Sequence, residues 1–539
     1  MIRVRLTVGN SGSDWTWAGS RWMRGADFVE PFDHRALSWH AMQCDGRIAF
    51  RVWEVSNSGA DLAVGAVSCK GGNIAHATAV EYDQFVAHST EWPLNNQLIL
   101  IDNSGKVSIR AGGWGSAPVY LAPHATTLYA DWDPARLYGH ISGEIDPVRA
   151  ALALAGFGHP YSRHTLFRGL FLLTERSHAT FDPETGRLDI KYPASAKRVL
   201  PRRLRPDADV TNAFESVLVS SLRRFLDTTS TACVQVSGGL DSAVIATALS
   251  RIPGVRVTGC GILVPGPSGV AQIRRRDEIL TRAGADDFQF KGIDHPPFSG
   301  DRLSAGDAVP WEEYYREPMS LLMAGARARG FDRMFTGFGG DEISTLSAAE
   351  ISDENLNESA LRNPPPPFLT PMGREALVDG VRTLDIAPPA VVERSCLECA
   401  QTGAVGYLRS GIWPLNPYFT PELVQFCRSL PVEWRRGRTL QRRYLTERGL
   451  STCVTRRHRK ETFYDILRKG LKGTSAPAIV KVLATSRLAE AGLVDRDRLV
   501  DCYAVYRQDN NCAYEGHLLN ALMLELSLRS VEMARAKAK

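Results

Sequence analysis

Long hydrophobic runs are missing from this sequence. No window of about 18 consecutive apolar residues occurs, so a membrane-spanning helix is not expected. Cysteine is thin, with 10 residues in a chain of 539. The opening MIRVRLTVGNSGSDW carries no apolar h-region, so these thiols read as reduced and buried in a cytoplasmic protein, not as a disulfide framework. Cys396 and Cys399 form a lone Cys-x-x-Cys with no second pair, which argues against zinc and for core packing. Charge of one sign is scarce too. Lys and Arg number 64 against 59 Asp and Glu, and the net +5 does not by itself predict nucleic-acid binding. What remains is an ordinary globular composition, 44% hydrophobic and 23% charged. The length has room for roughly two to four domains.

The first part of the chain is written in short alternating segments. RIAFRVWEV (47–55), DLAVGAVSC (61–69), NQLILIDNSGKVSIRA (96–111) and APVYLAP (117–123) read as strands, with Asn-Ser-Gly supplying hairpin turn chemistry. Residues 131–165 read as helical, and HATFDPETGRLDIKY (178–192) as another hairpin. Trp15, Trp17, Trp22 and Trp39 read as packing residues, with peptide binding as the alternative. A proline-rich basic stretch, 193–210, reads as a linker. Beyond it the pattern changes. An amphipathic helix (210–229) is followed by a short buried strand, a glycine turn, a helix, a second strand (255–264), a helix (317–330) and a strand ending in TGFGGDE. Such alternation predicts a doubly wound parallel sheet. From Leu377 the chain reads mainly helical. The expected division is a β-rich domain over 1–205 and an α/β domain over 206–539.

The informative segment is VQVSGGLDSAVIATAL, 234–249. A buried strand runs into Ser237, Gly238, Gly239, Leu240, Asp241 and Ser242, then a helix. The glycines let backbone approach phosphate, and a helix N-terminus faces the anion. An acid beside a phosphate site makes sense if Mg²⁺ bridges the two. A Walker Gly-Lys-Ser/Thr ending and a dinucleotide Gly-x-Gly-x-x-Gly are both absent here. The plain alternative is an ordinary helix cap built from Asp and Ser.

SGGLDS followed about a hundred residues later by TGFGGDEI (336–343) resembles the synthetase domain of asparagine synthetase and its relatives, the β-lactam and carbapenam synthetases and the lasso-peptide cyclases. Asp277-Glu278, Glu317-Pro318 and WPLNPYFTPELVQFCRSLP (413–431) extend the likeness, which covers about 206–465 well and the rest weakly. The resemblance implies an adenine-nucleotide α-hydrolase-like fold that binds ATP through Val236, Ser237, Gly238, Gly239, Leu240, Asp241, Ser242, Gly339 and Gly340. It implies Mg²⁺ on Asp241 and Asp341. The implied activity is amide formation through an acyl-adenylate. GSAPVYLAP (115–123) resembles a strand of the family's glutaminase (Ntn) domain, so the N-terminal domain is expected to be a degenerate glutaminase.

Departures from the family narrow the acceptor. The second residue is Ile2, and no cysteine precedes Cys44, so the glutaminase thiol is lacking. Trp413 stands where asparagine synthetase has glutamate and β-lactam synthetase has Trp, which suits a larger or more apolar substrate. Phe338 replaces the Tyr of the β-lactam Tyr-Glu dyad, whose Glu falls near Gln401. Phe338 and Trp413 are therefore taken as substrate-binding, and Glu398, one turn from Gln401, as the replacement base. Lys460, in RRHRKETF (456–463), matches the lysine that steadies the adenylate charge. The expected activity is an ATP-dependent ligase closing an intramolecular amide, with a lasso-type peptide macrolactam favoured. A small-molecule or β-lactam-forming synthetase, an ammonia-dependent asparagine synthetase and an inactive scaffold are the alternatives. The expected partners are a small-molecule or peptide substrate and a precursor-peptide protease or leader-binding protein, without nucleic acid or membrane.

Overall fold

The computed structural model describes residues 1–7, 14–57, 70–113, 117–197, 199–226, 230–346, 364–456, 461–509 and 514–538. The expected strand at 61–69 lies outside the described residues.

The alternating N-terminal segments build two seven-stranded sheets. In the first, Ile2–Thr7 lies between Thr127–Asp131 and Asp27–Pro31, antiparallel to both. In the second, Arg47–Glu54 lies antiparallel between Leu37–Cys44 and Asn96–Ile101, and Lys70–His76 adds a parallel edge. The period-two pattern puts Ile2, Val4 and Leu6 on one buried face. Aromatic side chains knit the sheets together. Phe50 meets Trp15 at 4.9 Å and Trp22 at 5.1 Å, and Trp17 lies 5.0 Å from Trp22. The tryptophans thus act as core. Helix Ala79–Thr90, closed by a Thr78–Glu81 capping box, covers the far face of the second sheet at Tyr82. The hairpin His178–Asp182/Arg187–Lys191 forms as its turn chemistry predicts. In 131–165, a 3-10 segment Pro134–His140 and one short helix, Pro147–Leu154, stand where more helix is expected.

The second half centres on a five-stranded parallel sheet ordered Asp286–Lys291, Arg256–Leu263, Thr231–Gln235, Arg333–Phe335, Trp413–Leu415. The outer strands at 286–291 and 413–415 are not evident from alternation; the first is too exposed and the second too short. The order reverses direction between Thr231–Gln235 and Arg333–Phe335, which is where an open parallel sheet opens a crevice at its carboxyl edge. Helices Leu240–Ser250, Gly266–Ala283 and Arg316–Ala328 pack on the sheet. The first of these is apolar nearly all round and buried along its length, so it sits in the core.

The halves are interlocked. The last helix, Glu515–Ala538, returns to the N-terminal part, where His517 Nδ1 lies 2.8 Å from the Leu154 carbonyl and Asn520 donates to the Ala153 carbonyl at 2.8 Å. Among the described residues no helix is long and apolar enough to cross a membrane.

Candidate functional site

The SGGLDS loop leaves the middle strand at the crevice. Gly238 takes φ +84°, a left-handed conformation that favours glycine. The two serine hydroxyls close the loop on itself: Ser237 N donates to Ser242 Oγ at 3.2 Å, and Gly239 N to Ser237 Oγ at 3.2 Å. Val236 and Leu240 are buried, so only their backbone is available to a ligand. Helix Gly266–Ala283 clamps the loop from behind. Gln272 Nε2 donates to the Ser237 carbonyl at 3.1 Å, Arg275 Nε to the Gly238 carbonyl at 3.0 Å, and Arg276 to the Val236 carbonyl. Arg275 is itself paired with Glu461. The carbonyls of Val236, Ser237 and Gly238 are thereby satisfied and the loop is fixed in place.

Asp241, in the first turn of Leu240–Ser250, meets the TGFGGDE loop. Gly340 is there because nothing larger fits: a Cβ would stand 2.4 Å from Asp241 Cγ. Gly339 sits at φ +91°, with Tyr418 and Phe419 3.0 Å from the place of its absent Cβ. The Tyr418 hydroxyl donates to the Asp241 carbonyl at 3.0 Å, and Gln441 Nε2 to the Gly340 carbonyl at 2.8 Å. Both motifs are thus held from the same C-terminal helical segment.

Asp241 and Asp341 converge on one cation, the Arg438 guanidinium. Arg438 NH1 lies 3.1 Å from Asp241 Oδ2, and NH2 pairs with Asp341. Arg438 stands in the left-handed region at φ +58°, directly before helix Thr439–Glu447. Sequence reasoning missed it; the signal available was its density of arginine, five in 435–443 (Arg435, Arg436, Arg438, Arg442 and Arg443). Two carboxylates that share one cation have the donor chemistry a hard divalent ion requires. No cluster of three or more His, Cys, Asp or Glu that would hold a metal unaided occurs among the described residues, so the remaining ligands would have to come from phosphate oxygens.

The other expected residues scatter. Phe338 does reach the crevice: its ring lies against Gly403 and shares an apolar cluster with Tyr407, Met319 and Phe463. Trp413 does not. It pairs with Arg333 at the start of its strand, two residues before the crevice edge, and its Nε1 donates to Glu54 of the N-terminal sheet at 2.7 Å. Its ring lies 5.8 Å from His34, so it seals the contact between the halves. Glu398 also faces the N-terminal part. It accepts from Tyr161 N at 3.4 Å and pairs with Arg394 at 3.5 Å, and burial raises its pKa. Gln401, nearby, bonds the Tyr120 hydroxyl. Lys460, with His458 and Arg459, lies outside the described residues. Cys396 and Cys399 share one helix, and burial pushes the Cys399 thiol up to about 12, which disfavours metal-binding thiolate. Glu278 caps a neighbouring helix through Ser451, and Glu317 holds Arg302 and Phe298 N.

No protein-family model matches the chain, and no curated protein matches it. Among solved structures it is similar to the U34-tRNA thiolase NcsA from Methanococcus maripaludis with its 4Fe–4S cluster, over 37% of this chain and 79% of that one. The identity is 14% and the TM-score 0.21, a likeness too slight to bear on activity.

Proposed function

We propose that this protein is an ATP-dependent ligase that adenylates a carboxylate and joins it to an amine. One observation carries the reading: Asp241 and Asp341, from two glycine loops, converge on a single cation at the point where the strand order of a parallel sheet reverses. The backbone of 236–242 would receive the ATP phosphates and Asp241 and Asp341 would hold Mg²⁺, with Arg438 giving way or turning to phosphate. Mg²⁺ bound there would offset phosphate charge. A substrate carboxylate oxygen attacks the α-phosphorus, and pyrophosphate leaves with the bonding electron pair. An amine nitrogen then attacks the acyl carbon, and AMP leaves. Gly339 and Gly340 keep side chains out of the way of the acyl-adenylate.

The finer reading is ring closure within one substrate, a macrolactam of the lasso-peptide kind. It is supported by the aromatic and thioether surface at the crevice, Phe338, Met319 and Phe463, which suits a peptide better than free aspartate. A peptide substrate and the enzymes that trim or present it are the partners this entails. The N-terminal sheets would be a glutaminase-like scaffold.

The test is ATP–pyrophosphate exchange with Mg²⁺ and a panel comprising aspartate, N-carboxyalkyl amino acids and free-amine peptides that contain Asp or Glu. Exchange with one member, abolished in Asp241→Ala, is expected. If neither exchange nor calorimetric ATP binding is detected, the ligase reading falls.

A further inference from the structure

Helix Gly266–Ala283 turns two faces to two different parts of the molecule. Gln272, Arg275 and Arg276, at i, i+3 and i+4, meet the SGGLDS loop. Arg275, Glu278 and Arg282, at i, i+3 and i+7, meet the C-terminal helical segment at Glu461, Ser451 and the Arg448 carbonyl. Arg275 belongs to both sets. The ties to the C-terminal segment also differ in burial. Those of Glu278 and Arg282 are exposed, so water competes for them. Arg275 and Glu461 are 4% and 8% exposed at their side chains, so both charges have lost water and the pair is costly to break.

Gln272 and Arg276 fasten the loop to the sheet beside it. Gln272 also donates to the Ile262 carbonyl at 3.0 Å and accepts from Val264 N at 2.9 Å, and Arg276 donates to the Cys260 carbonyl at 3.2 Å. Arg275 instead joins the Gly238 carbonyl, at 3.0 Å from Nε, to Glu461, just before helix Tyr464–Lys472. Gly238 is seated closely there, since a Cβ on it would stand 3.3 Å from the Gln272 carbonyl oxygen. Two residues after Glu461, the Phe463 ring lies 4.8 Å from Tyr315 and packs on the apolar cluster that Phe338 and Met319 also line. The stretch 461–463 therefore runs from the clamp on the nucleotide loop to the apolar wall of the crevice.

We infer that Glu461 is a positioning residue for the nucleotide loop, an assignment that rests on the ligase reading. It fixes the Arg275 guanidinium, whose planar fork reaches the Gly238 carbonyl through Nε and Glu461 through NH2. That fixes where the loop receives the ATP phosphates. Glu461 acts through Arg275, not on the reacting atoms.

The first readouts are the Kd of Mg·ATP by calorimetry, which needs no carboxylate substrate, and the melting temperature. Glu461→Gln should raise the Kd about 10–100-fold, the range for a lost hydrogen bond from a charged donor. Glu461→Asp should recover part of the loss. Because Glu461→Gln leaves a buried cation unpaired, it is joined by Arg275→Met/Glu461→Leu; removing both charges of a buried pair often leaves stability intact. This double variant should melt like wild type and still bind ATP weakly. In pyrophosphate exchange with the same panel, the loss should fall on the KM for ATP with kcat within about threefold, because the loop grips the phosphates before and during reaction. Arg282→Met, which cuts an exposed tie on the same helix, should leave the Kd unchanged. A Kd within about threefold of wild type in folded Glu461→Gln, or in the folded double variant, overturns the assignment. So does an equal rise in Arg282→Met, which marks general anchoring of the helix. Absence of ATP binding by the wild type removes the ligase reading instead, a distinct result.

Discussion

Gly340→Ala tests the geometry on which the site depends. The new Cβ would stand 2.4 Å from both Cγ and Oδ1 of Asp241 and 2.5 Å from its Cβ, where ordinary contact begins at 3.4 Å. The carboxylate must therefore retreat by about 1 Å. Neither side yields easily. Arg438 holds both Asp241 oxygens, at 3.1 and 3.3 Å, and Gln441 holds the Gly340 carbonyl at 2.8 Å. Overpacking of this sort costs about 1–3 kcal/mol, which a fold of this size should survive. The functional cost is larger. Mg²⁺ demands oxygens at about 2.0–2.1 Å in near-octahedral geometry, so a shift of 1 Å removes Asp241 as a ligand. Misplacement on that scale costs about 10²-fold in rate. The expected result is a folded protein by circular dichroism with pyrophosphate exchange reduced about a hundredfold. Gly516→Ala, where an added Cβ meets nothing within 4 Å, is the control. Exchange within threefold of wild type in folded Gly340→Ala would refute the placement of Asp241 at the reacting phosphates.

Two further outcomes are expected. Arg438→Met leaves Asp241 and Asp341 facing each other without their cation; since Asp341 is 61% exposed and well screened, the loss of stability should be about 1 kcal/mol. Mg²⁺ without nucleotide should then raise the melting temperature more in the variant than in wild type, and an equal shift would count against the two acids forming a divalent-ion site. Glu54 is fully buried, and that burial raises its pKa to about 7 against the hydrogen bonds from Asn95 and Trp413. A carboxyl whose folded pKa lies above its unfolded value binds more protons when folded, so its contribution to stability is lost as pH rises from about 4.5 to about 7 and then levels off, by about 3 kcal/mol in total. The stability of wild type relative to Glu54→Gln should fall across that window in pH-dependent melts; a flat difference would mean that Glu54 keeps an ordinary pKa.

Local features were legible in the sequence because their causes are local. The SGGLDS turn needs a positive φ at Gly238, and the run of apolar residues after it has no amphipathic face to place outward, so a buried strand–turn–helix follows from the letters alone. The Asn-Ser-Gly hairpin is legible for the same reason. What failed were the placements of Trp413 and Glu398, which depended on where a side chain meets a distant element. Trp413 and Glu398 have the right residue types for a site, but a strand alternates its faces, and only the register with Arg333 shows that Trp413 begins its strand. Its indole N–H is then spent on Glu54, more than three hundred residues earlier. Glu398 is turned to Tyr161 by the same interlocking. The residue that sequence reasoning passed over, Arg438, sits in an arginine-rich segment that looks like solvated charge. Charge in such runs acquires chemical meaning only once packing decides which members lose water. Here Arg438 meets two carboxylates. A paired charge is neutralised and positions its neighbours.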